Sequence, residues 1–432
     1  MATRRLYWED PYCKSFEARI EGFALRGDTA ALFLDRTAFH PEGGGQPSDR
    51  GKLLIEDRDV SASLGTTELR VSKVVEEGEG VAHLVDAVSL EKGALALLSE
   101  VLRPGLRVRG EIDWAWRFDL MQQHTGQHIL SRAFQEVLGA ETVGFHLSSE
   151  YATIDLAVGS LSGEHVVKVE ELSNRVVFDD LPVTVREYDR GDLPPGVRSR
   201  FDIEADRVRV VHVGKFDACP CGGTHVASSG QVGLIKVNET DRAHGGVRVV
   251  FKCGGRALAD YRKKQSLLSD AASAVSQPLD SVPEAVRELL AKLHDLEERY
   301  EEAQQAILDL EIERILNAAR GGREGLVALF AEKSPDQLRY AAKRLCEGSG
   351  RLSVCVVSEP RLSVVVASPA GGPDARAVAQ AISSELGGRG GGTKELAQLG
   401  SKEPARVPGS DIRGLLASVC RRFESAGESG KP

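Results

Sequence analysis

His124 and His128 stand four residues apart in His124-Thr125-Gly126-Gln127-His128, and Cys221 and His225 stand four apart in Cys221-Gly222-Gly223-Thr224-His225. On a helix, positions i and i+4 share one face, so both imidazoles of the first segment can reach a single point. In the second segment a Gly-Gly step lets a thiolate and a third imidazole turn towards the same ion. One thiolate among imidazoles suits a borderline-soft, tetrahedral cation, and Zn²⁺ fits that description best. Either segment alone is weak, since a lone helical histidine is usually a satisfied core residue. Together they use three of the ten histidines. The expected ligands are His124, His128, Cys221 and His225. Cys219 is a rival, but the Cys-Pro-Cys step is too stiff for both sulfurs to chelate one ion.

The elements around these residues follow from periodicity. Leu120, Ile129, Leu130, Ala133, Phe134 and Leu138 form an apolar face, which predicts a helix over Phe118–Leu138 with both histidines in its middle. Val143–His146, Ala152–Leu156, Val183–Glu187, Val232–Val237 and Val247–Lys252 read as strands, and His165–Val177 as a second helix. Upstream, short apolar stretches such as Ala30–Leu34 and Lys52–Ile55 alternate with glycine, aspartate and serine turns, as in a small barrel or sandwich. Within that region, Thr37-Ala38-Phe39-His40-Pro41-Glu42-Gly43-Gly44-Gly45-Gln46 carries three consecutive glycines. They permit close approach to a ligand or to another segment, but no Gly-Lys-Ser/Thr follows, so this is not a P-loop.

Further along, Val286, Leu289, Leu293, Leu296, Tyr300, Ala303, Ile307 and Leu310 recur by threes and fours after Pro283, a heptad seam on a charged helix. The seam allows either a homodimer or a spacer packed within one chain. Leu352–Val357 and Leu362–Ala367 read as adjacent strands and Asp374–Leu386 as a helix. A glycine-rich loop, Gly387-Gly388-Arg389-Gly390-Gly391-Gly392-Thr393-Lys394, then places Arg389 and Lys394 beside exposed amides, which suits a phosphate backbone. From Glu424 on, an unstructured tail is expected.

Composition sets limits. At 432 residues the chain exceeds one typical core. Hydrophobic content of 41% with 28% charged residues fits an ordinary soluble chain, and no apolar run approaches the roughly 20 residues that span a bilayer. The N-terminus lacks the apolar stretch of a secretory signal. Seven cysteines at irregular spacing argue for a reducing compartment, so a cytoplasmic location is expected. A net charge of −9 gives no support to non-specific nucleic-acid binding, though a local basic groove stays compatible with it. The expected fold class is a multidomain α+β chain: a β-barrel-like domain over residues 1–110, a mixed α/β zinc domain over 111–262, a coiled-coil spacer over 283–322, and an α/β domain over 323–423.

Taken in this order, the motifs resemble one family. HxxxH, CGGTH and the upstream Gly-Gly-Gly-Gln element are similar to the editing half of alanyl-tRNA synthetase, and more closely to the free-standing AlaX trans-editing proteins. The terminal glycine run is similar to the synthetase's C-terminal DHHA1 domain, although Thr393–Gln398 matches its continuation only in part. With the helical spacer, the resemblance is to the long form of AlaX and spans about residues 5–420. It implies zinc-dependent hydrolysis of the ester on tRNA(Ala) mischarged with serine, and secondarily with glycine, with no membrane partner. It places catalysis at Cys221 and His128, substrate binding at Thr37 and Gln46, and tRNA binding at Arg389 and Lys394. Such editing is chemically needed, because a pocket for alanine cannot strongly reject an isostere that adds only a hydroxyl. The competing readings are a catalytically inactive, zinc-stabilised tRNA-binding or regulatory protein, and editing of a related mischarged tRNA such as the threonyl one. With editing-type motifs starting almost at residue 1 and no Asp-His-His triplet, neither a full synthetase nor a DHH phosphoesterase is expected.

Overall fold

A computed structural model describes residues 2–428 apart from 27–28, 58, 61, 63–67, 87–101, 196, 198–205, 244 and 406–408. The chain forms two compact units, residues 1–270 and 271–432.

The first unit opens with a short strand β1 (Arg4–Arg5) and one helical turn, α1 (Leu6–Glu9). The strands β2 (Ser15–Arg26), β3 (Thr29–Leu34), β4 (Arg36–Thr37), β5 (Gly51–Ile55), β6 (Glu68–Glu77), β7 (Gly80–Asp86) and β8 (Arg107–Ile112) follow. Six of them close into a barrel in the order β2-β3-β7-β6-β5-β8, while β4 pairs in parallel with β1. Alternation drives this closure. In β2, Phe16, Ala18 and Ile20 point inward and Glu17 and Arg19 outward, and the barrel fills with such residues from every strand, among them Leu32, Leu53 and Val108.

Helix α2 (Trp114–Leu138) comes next, and it starts one turn earlier than the apolar periodicity predicts. The cause is a cap: Asp113 accepts a hydrogen bond from the Trp116 amide at 3.2 Å, so the chain turns helical at once. Gly139, at φ 64°, ends it. The predicted apolar face packs against a four-stranded sheet of order β14-β15-β10-β9, built from β9 (Thr142–Leu147), β10 (Ala152–Leu156), β14 (Ile235–Ala243) and β15 (Gly246–Cys253). Helix α3 (Gly163–Phe178) completes this core. A second sheet, β11 (Val183–Asp189), β12 (Arg207–Val213) and β13 (Asp217–Pro220), delivers the Cys221 loop. The strand expected from Val232 begins only at Ile235, because Ser229–Val232 coils into a single 3-10 turn. Helix α4 (Gly254–Ala274) leaves the sheet.

The second unit begins with α5 (Val282–Ala318), about 55 Å long at 1.5 Å per residue. Leu308 and Ile312 bury one face of it against α6 (Pro335–Ser349) and its sheet. The seam on the other face is open, with Leu289, Leu293, Leu296, Tyr300 and Leu310 all more than half exposed. A five-stranded sheet of order β16-β17-β18-β20-β19 comprises β16 (Leu326–Leu329), β17 (Ser353–Val357), β18 (Ser363–Ala367), β19 (Arg389–Gly392) and β20 (Leu396–Gly400), with α7 (Ala375–Leu386) and α8 (Gly409–Glu428) packed on it. Two expectations change here. The glycine-rich stretch is not a loop: Arg389–Gly392 forms the edge strand, and a Cβ at Gly390 would lie 1.9 Å from the Gln398 carbonyl oxygen. The glycines thus allow one backbone to lie close on the next. The chain also stays helical to Glu428, where a tail was expected from Glu424, because Ile412, Leu416, Val419 and Cys420 bury a face of α8; residues 429–432 lie outside the described residues.

Arg117, one turn into α2, is fully buried with Asp49. Its Nε donates to Asp49 at 2.8 Å, Nη1 to the Pro11 carbonyl at 2.9 Å, and Nη2 to the Ala38 carbonyl at 2.6 Å. Arg117→Leu leaves the Asp49 carboxylate buried and unpaired, so it should cost ~3–5 kcal/mol and lower the melting temperature sharply. Adding Asp49→Leu should recover part of that loss; thermal melts of the single and double variants check it.

Candidate metal centre

Helix α2 carries His124 and His128 on one face, and the turn after β13 carries Cys221 and His225. One ligand atom from each of the four lies within 4.8 Å of all the others. Cys221 Sγ is 3.3 Å from His124 Nε2 and 3.4 Å from His225 Nε2. Donors on a zinc tetrahedron sit about 3.5 Å apart, so the spacing suits that ion. Cys219 is not in this group; it lies buried in β13, its thiol donating to the Pro220 carbonyl at 3.7 Å and its sulfur also close to His128.

Each imidazole is held from behind. His124 Nδ1 lies 2.7 Å from Gln46 Oε1, an oxygen that can only accept, so the proton sits on Nδ1 and the Nε2 lone pair faces inward. His225 Nδ1 meets the Thr125 hydroxyl at 3.2 Å, and His128 Nδ1 meets the Asp217 carboxylate at 3.4 Å. Burial alone would push the Cys221 thiol up, but the His124 and His225 rings and the hydrogen bonds to it hold it well below its ordinary value. Burial likewise opposes a charge on His128, yet Asp217 and the neighbouring sulfurs raise it well above the usual imidazole value. Burial pulls His225 down to about 3, so it stays neutral. A thiolate and lone pairs held inward are what a cation needs. These residues fit zinc.

Backbone placement explains the glycines. A Cβ on Gly223 would lie 2.3 Å from His124 Cε1 and 2.6 Å from Gln46 Oε1, and one on Gly45, at φ +83°, would lie 2.9 Å from the Phe145 carbonyl oxygen. Phe145 in turn stacks on His124, with centroids 5.3 Å apart. Arg209 fixes the Cys221 turn by donating to the Cys221 carbonyl at 2.7 Å and the Gly223 carbonyl at 3.0 Å.

A cavity of about 410 Å³ adjoins the centre, walled by Tyr7, Trp8, His40, Gly44, Phe145 and Cys221 among others. The two residues expected to bind substrate stand behind this wall. Gln46 is buried, with its amide spent on His124, on the Thr224 hydroxyl at 3.0 Å and on the Thr224 amide. The buried Thr37 hydroxyl lies 2.8 Å from His83 Nε2 and accepts from the Phe39 amide. Sequence reasoning missed Asp217, Thr125 and Arg209, which hold the ligands and their turn; Thr125 alone carried a signal, lying between the two helical histidines, while Asp217 and Arg209 are ordinary strand residues until the chain folds. In the second unit, Arg389 and Lys394 are exposed, and Arg389 shares with Arg339 the wall of an open depression of about 550 Å³.

Comparison with known proteins places these features in context. The threonyl and alanyl tRNA synthetase second additional domain matches residues 208–250, the stretch that carries Cys221 and His225. The alanyl-tRNA editing protein AlaX-L of Pyrococcus horikoshii is 30% identical over 404 residues, covering 92% of this chain and 94% of its own. The chain belongs to the alanyl-tRNA editing family. It is also 32% identical over 414 residues to the alanine–tRNA ligase of Pyrococcus abyssi, of which it spans only 42%. The C-Ala domain of Aquifex aeolicus alanyl-tRNA synthetase aligns with 22% of this chain and 89% of its own at 22% identity, with a TM-score of 0.20. Among the described residues, no helix of this editing-family chain is long and apolar enough to cross a membrane.

The geometry predicts that Cys221→Ala loses most bound zinc while Cys219→Ala keeps about one ion per chain, as elemental analysis would show. Asp217→Asn removes the carboxylate behind His128 and should weaken zinc binding about 10–100-fold in a chelator competition.

Proposed function

We propose that this chain is a zinc-dependent hydrolase that removes a wrong amino acid, serine first and glycine second, from tRNA(Ala). The observation that carries this reading is the convergence of His124, His128, Cys221 and His225 on one point, three of them (His124, His128 and Cys221) in the wall of an open cavity, in a chain of the alanyl-tRNA editing family. A zinc ion held there supplies Lewis-acid polarisation next to the cavity. The protein's own residues do the rest. Cys221 and His128 line the cavity together with His124, and Asp217 fixes the ring of His128. Gln46 serves through His124, whose tautomer it sets. Thr37 serves through the strand leading to His40, fixed by its bonds to His83 and Phe39. Both are positioning residues for the substrate end. Water attacks the ester carbonyl, and the ribose oxygen leaves and takes up a proton, giving free amino acid and tRNA. This reading is preferred over an inactive zinc-stabilised binder because the ligand set borders a cavity instead of being sealed in a core.

For the second unit we propose a DHHA1-like tRNA-binding role in which Arg389 and Lys394, with Arg339 nearby, meet phosphates of tRNA(Ala). The open seam of α5 fits pairing of two chains, and the intracellular, cytoplasmic setting follows from the substrate.

Purified protein should release serine from Ser-tRNA(Ala), act more slowly on Gly-tRNA(Ala), spare Ala-tRNA(Ala), and lose activity on chelation with recovery on added zinc. A protein that binds zinc and tRNA yet releases nothing would establish the inactive-binder reading. Residues 1–270 alone should keep kcat on Ser-tRNA(Ala) but show a raised KM, the signature of lost uniform binding. Arg389→Ala with Lys394→Ala in the full chain should give a milder KM increase and a shallower salt dependence.

A further inference from the structure

Cys221 and His225 are joined by Gly222, Gly223 and Thr224, and glycine loses more freedom on ordering than any other residue. Such a loop keeps one conformation only if its backbone is held, and its hydrogen bonds run outward. Arg209 in β12 takes the Cys221 and Gly223 carbonyls. Gln46 accepts from the Thr224 amide and the Thr125 hydroxyl from the Val226 amide, both at 3.2 Å. Two further bonds come from the segment of residues 6–12. Trp8 Nε1, 214 positions away in the chain, donates to the Gly222 carbonyl at 3.0 Å. The Tyr12 hydroxyl, 215 positions away, accepts from the Ala227 amide at 2.7 Å.

Both side chains are themselves fixed. Trp8 is 37% exposed, yet the Arg5 guanidinium lies over its ring, 4.5 Å from the centroid, and Arg5 is paired with Glu76 at 3.0 Å. The Tyr12 ring meets Trp114 with centroids 5.4 Å apart. Its hydroxyl donates to Gln231 Oε1, which accepts from the same Ala227 amide at 3.2 Å. Between the two, the Pro11 carbonyl accepts from the buried Arg117 at 2.9 Å. Residues 6–12 thus bracket the metal loop, bonding to it once beside Cys221 and once two residues past His225, with a buried anchor between.

We propose that this segment is a strap that holds the Cys221–His225 loop in its ion-binding form before the ion arrives, with Trp8 the positioning residue for Cys221 and Tyr12 for His225. Order already present in the free protein is order the ion need not impose, so each strap bond adds to zinc affinity. A bond that only stabilised the fold would favour metal-free and metal-loaded protein equally and leave that affinity unchanged. The inference rests on the zinc reading of the centre and extends it to residues outside the ligand set.

The test measures zinc affinity of the full chain by chelator competition, and hydrogen exchange of the loop amides in metal-free and zinc-loaded protein. Trp8→Phe keeps an aromatic ring beneath Arg5 and loses the N–H. It should weaken zinc binding about fivefold, the effect of one neutral hydrogen bond. Tyr12→Phe should weaken it less, about twofold, because Gln231 still accepts from Ala227. The double variant should lose more than either. Trp116→Phe is the control: it removes an indole N–H bond of the same 3.0 Å length, made to the Ser48 carbonyl, and should leave zinc affinity unchanged. In the metal-free Trp8 and Tyr12 variants the amides of residues 222–227 should exchange faster than in wild type, and zinc should restore their protection. Unchanged zinc affinity in Trp8→Phe, an equal loss in the Trp116 control, or unaltered exchange of the loop amides overturns the strap. A wild-type chain that binds no zinc overturns the zinc reading instead.

Discussion

The buried ion pair between Arg117 and Asp49 is the contact on which the rest of the first unit depends. A guanidinium with no exposed surface must satisfy its donors inside the protein, and this one does so on three separate stretches of chain: Pro11, Ala38 and Asp49. All three belong to the N-terminal barrel half, whereas Arg117 stands two helical turns before His124. The same interaction therefore sets the register between the helix that offers two imidazoles and the segment from Thr37 to Gln46 that backs them. Asp49 also accepts the His40 amide, so the cavity wall is tied to the same carboxylate.

The centre shows a division of labour common to metal sites. Inward-facing atoms bind, and outward-facing atoms decide how they face. Here the outer set is heterogeneous: an amide oxygen behind His124, a hydroxyl behind His225 and a carboxylate behind His128. Of these rings His128 stands beside a full negative charge, which raises its basicity. Thr224 and Arg209 add a further layer, holding Gln46 and the Cys221 turn.

The four-donor set could be read from the sequence because each pair lies within one local element, where i,i+4 spacing or a Gly-Gly step is enough to join two side chains. The apolar face of α2 was readable for the same reason. What could not be read depends on contacts between distant stretches. Asp217 meets His128 across 89 residues and Gln46 meets His124 across 78, and no local pattern announces either. The start of α2 was missed because its first turn rests on a cap at Asp113 and not on periodicity. The glycine run near Arg389 was misread because glycine serves a close backbone approach as readily as an exposed loop. Composition does not distinguish the two; the partner strand does.

Gly45, Phe145, His124 and Gly223 form a column: Phe145 stacks on His124, and neither glycine has room for another carbon atom against its aromatic neighbour. Its parts come from the barrel half, the four-stranded sheet, the helix and the Cys221 turn. A ring stacked on Phe145 and crowded at Cε1 by Gly223 has little freedom to swing, so the angle at which His124 would meet an ion is a property of the unit's packing. An ion that demanded six partners in an octahedron would need that ring to tilt, and the column resists the tilt. Crowding around one ring thus adds a steric demand to the choice of ion that the thiolate and imidazole donors already make, and a methyl group added at residue 223 would press directly on His124 and Gln46.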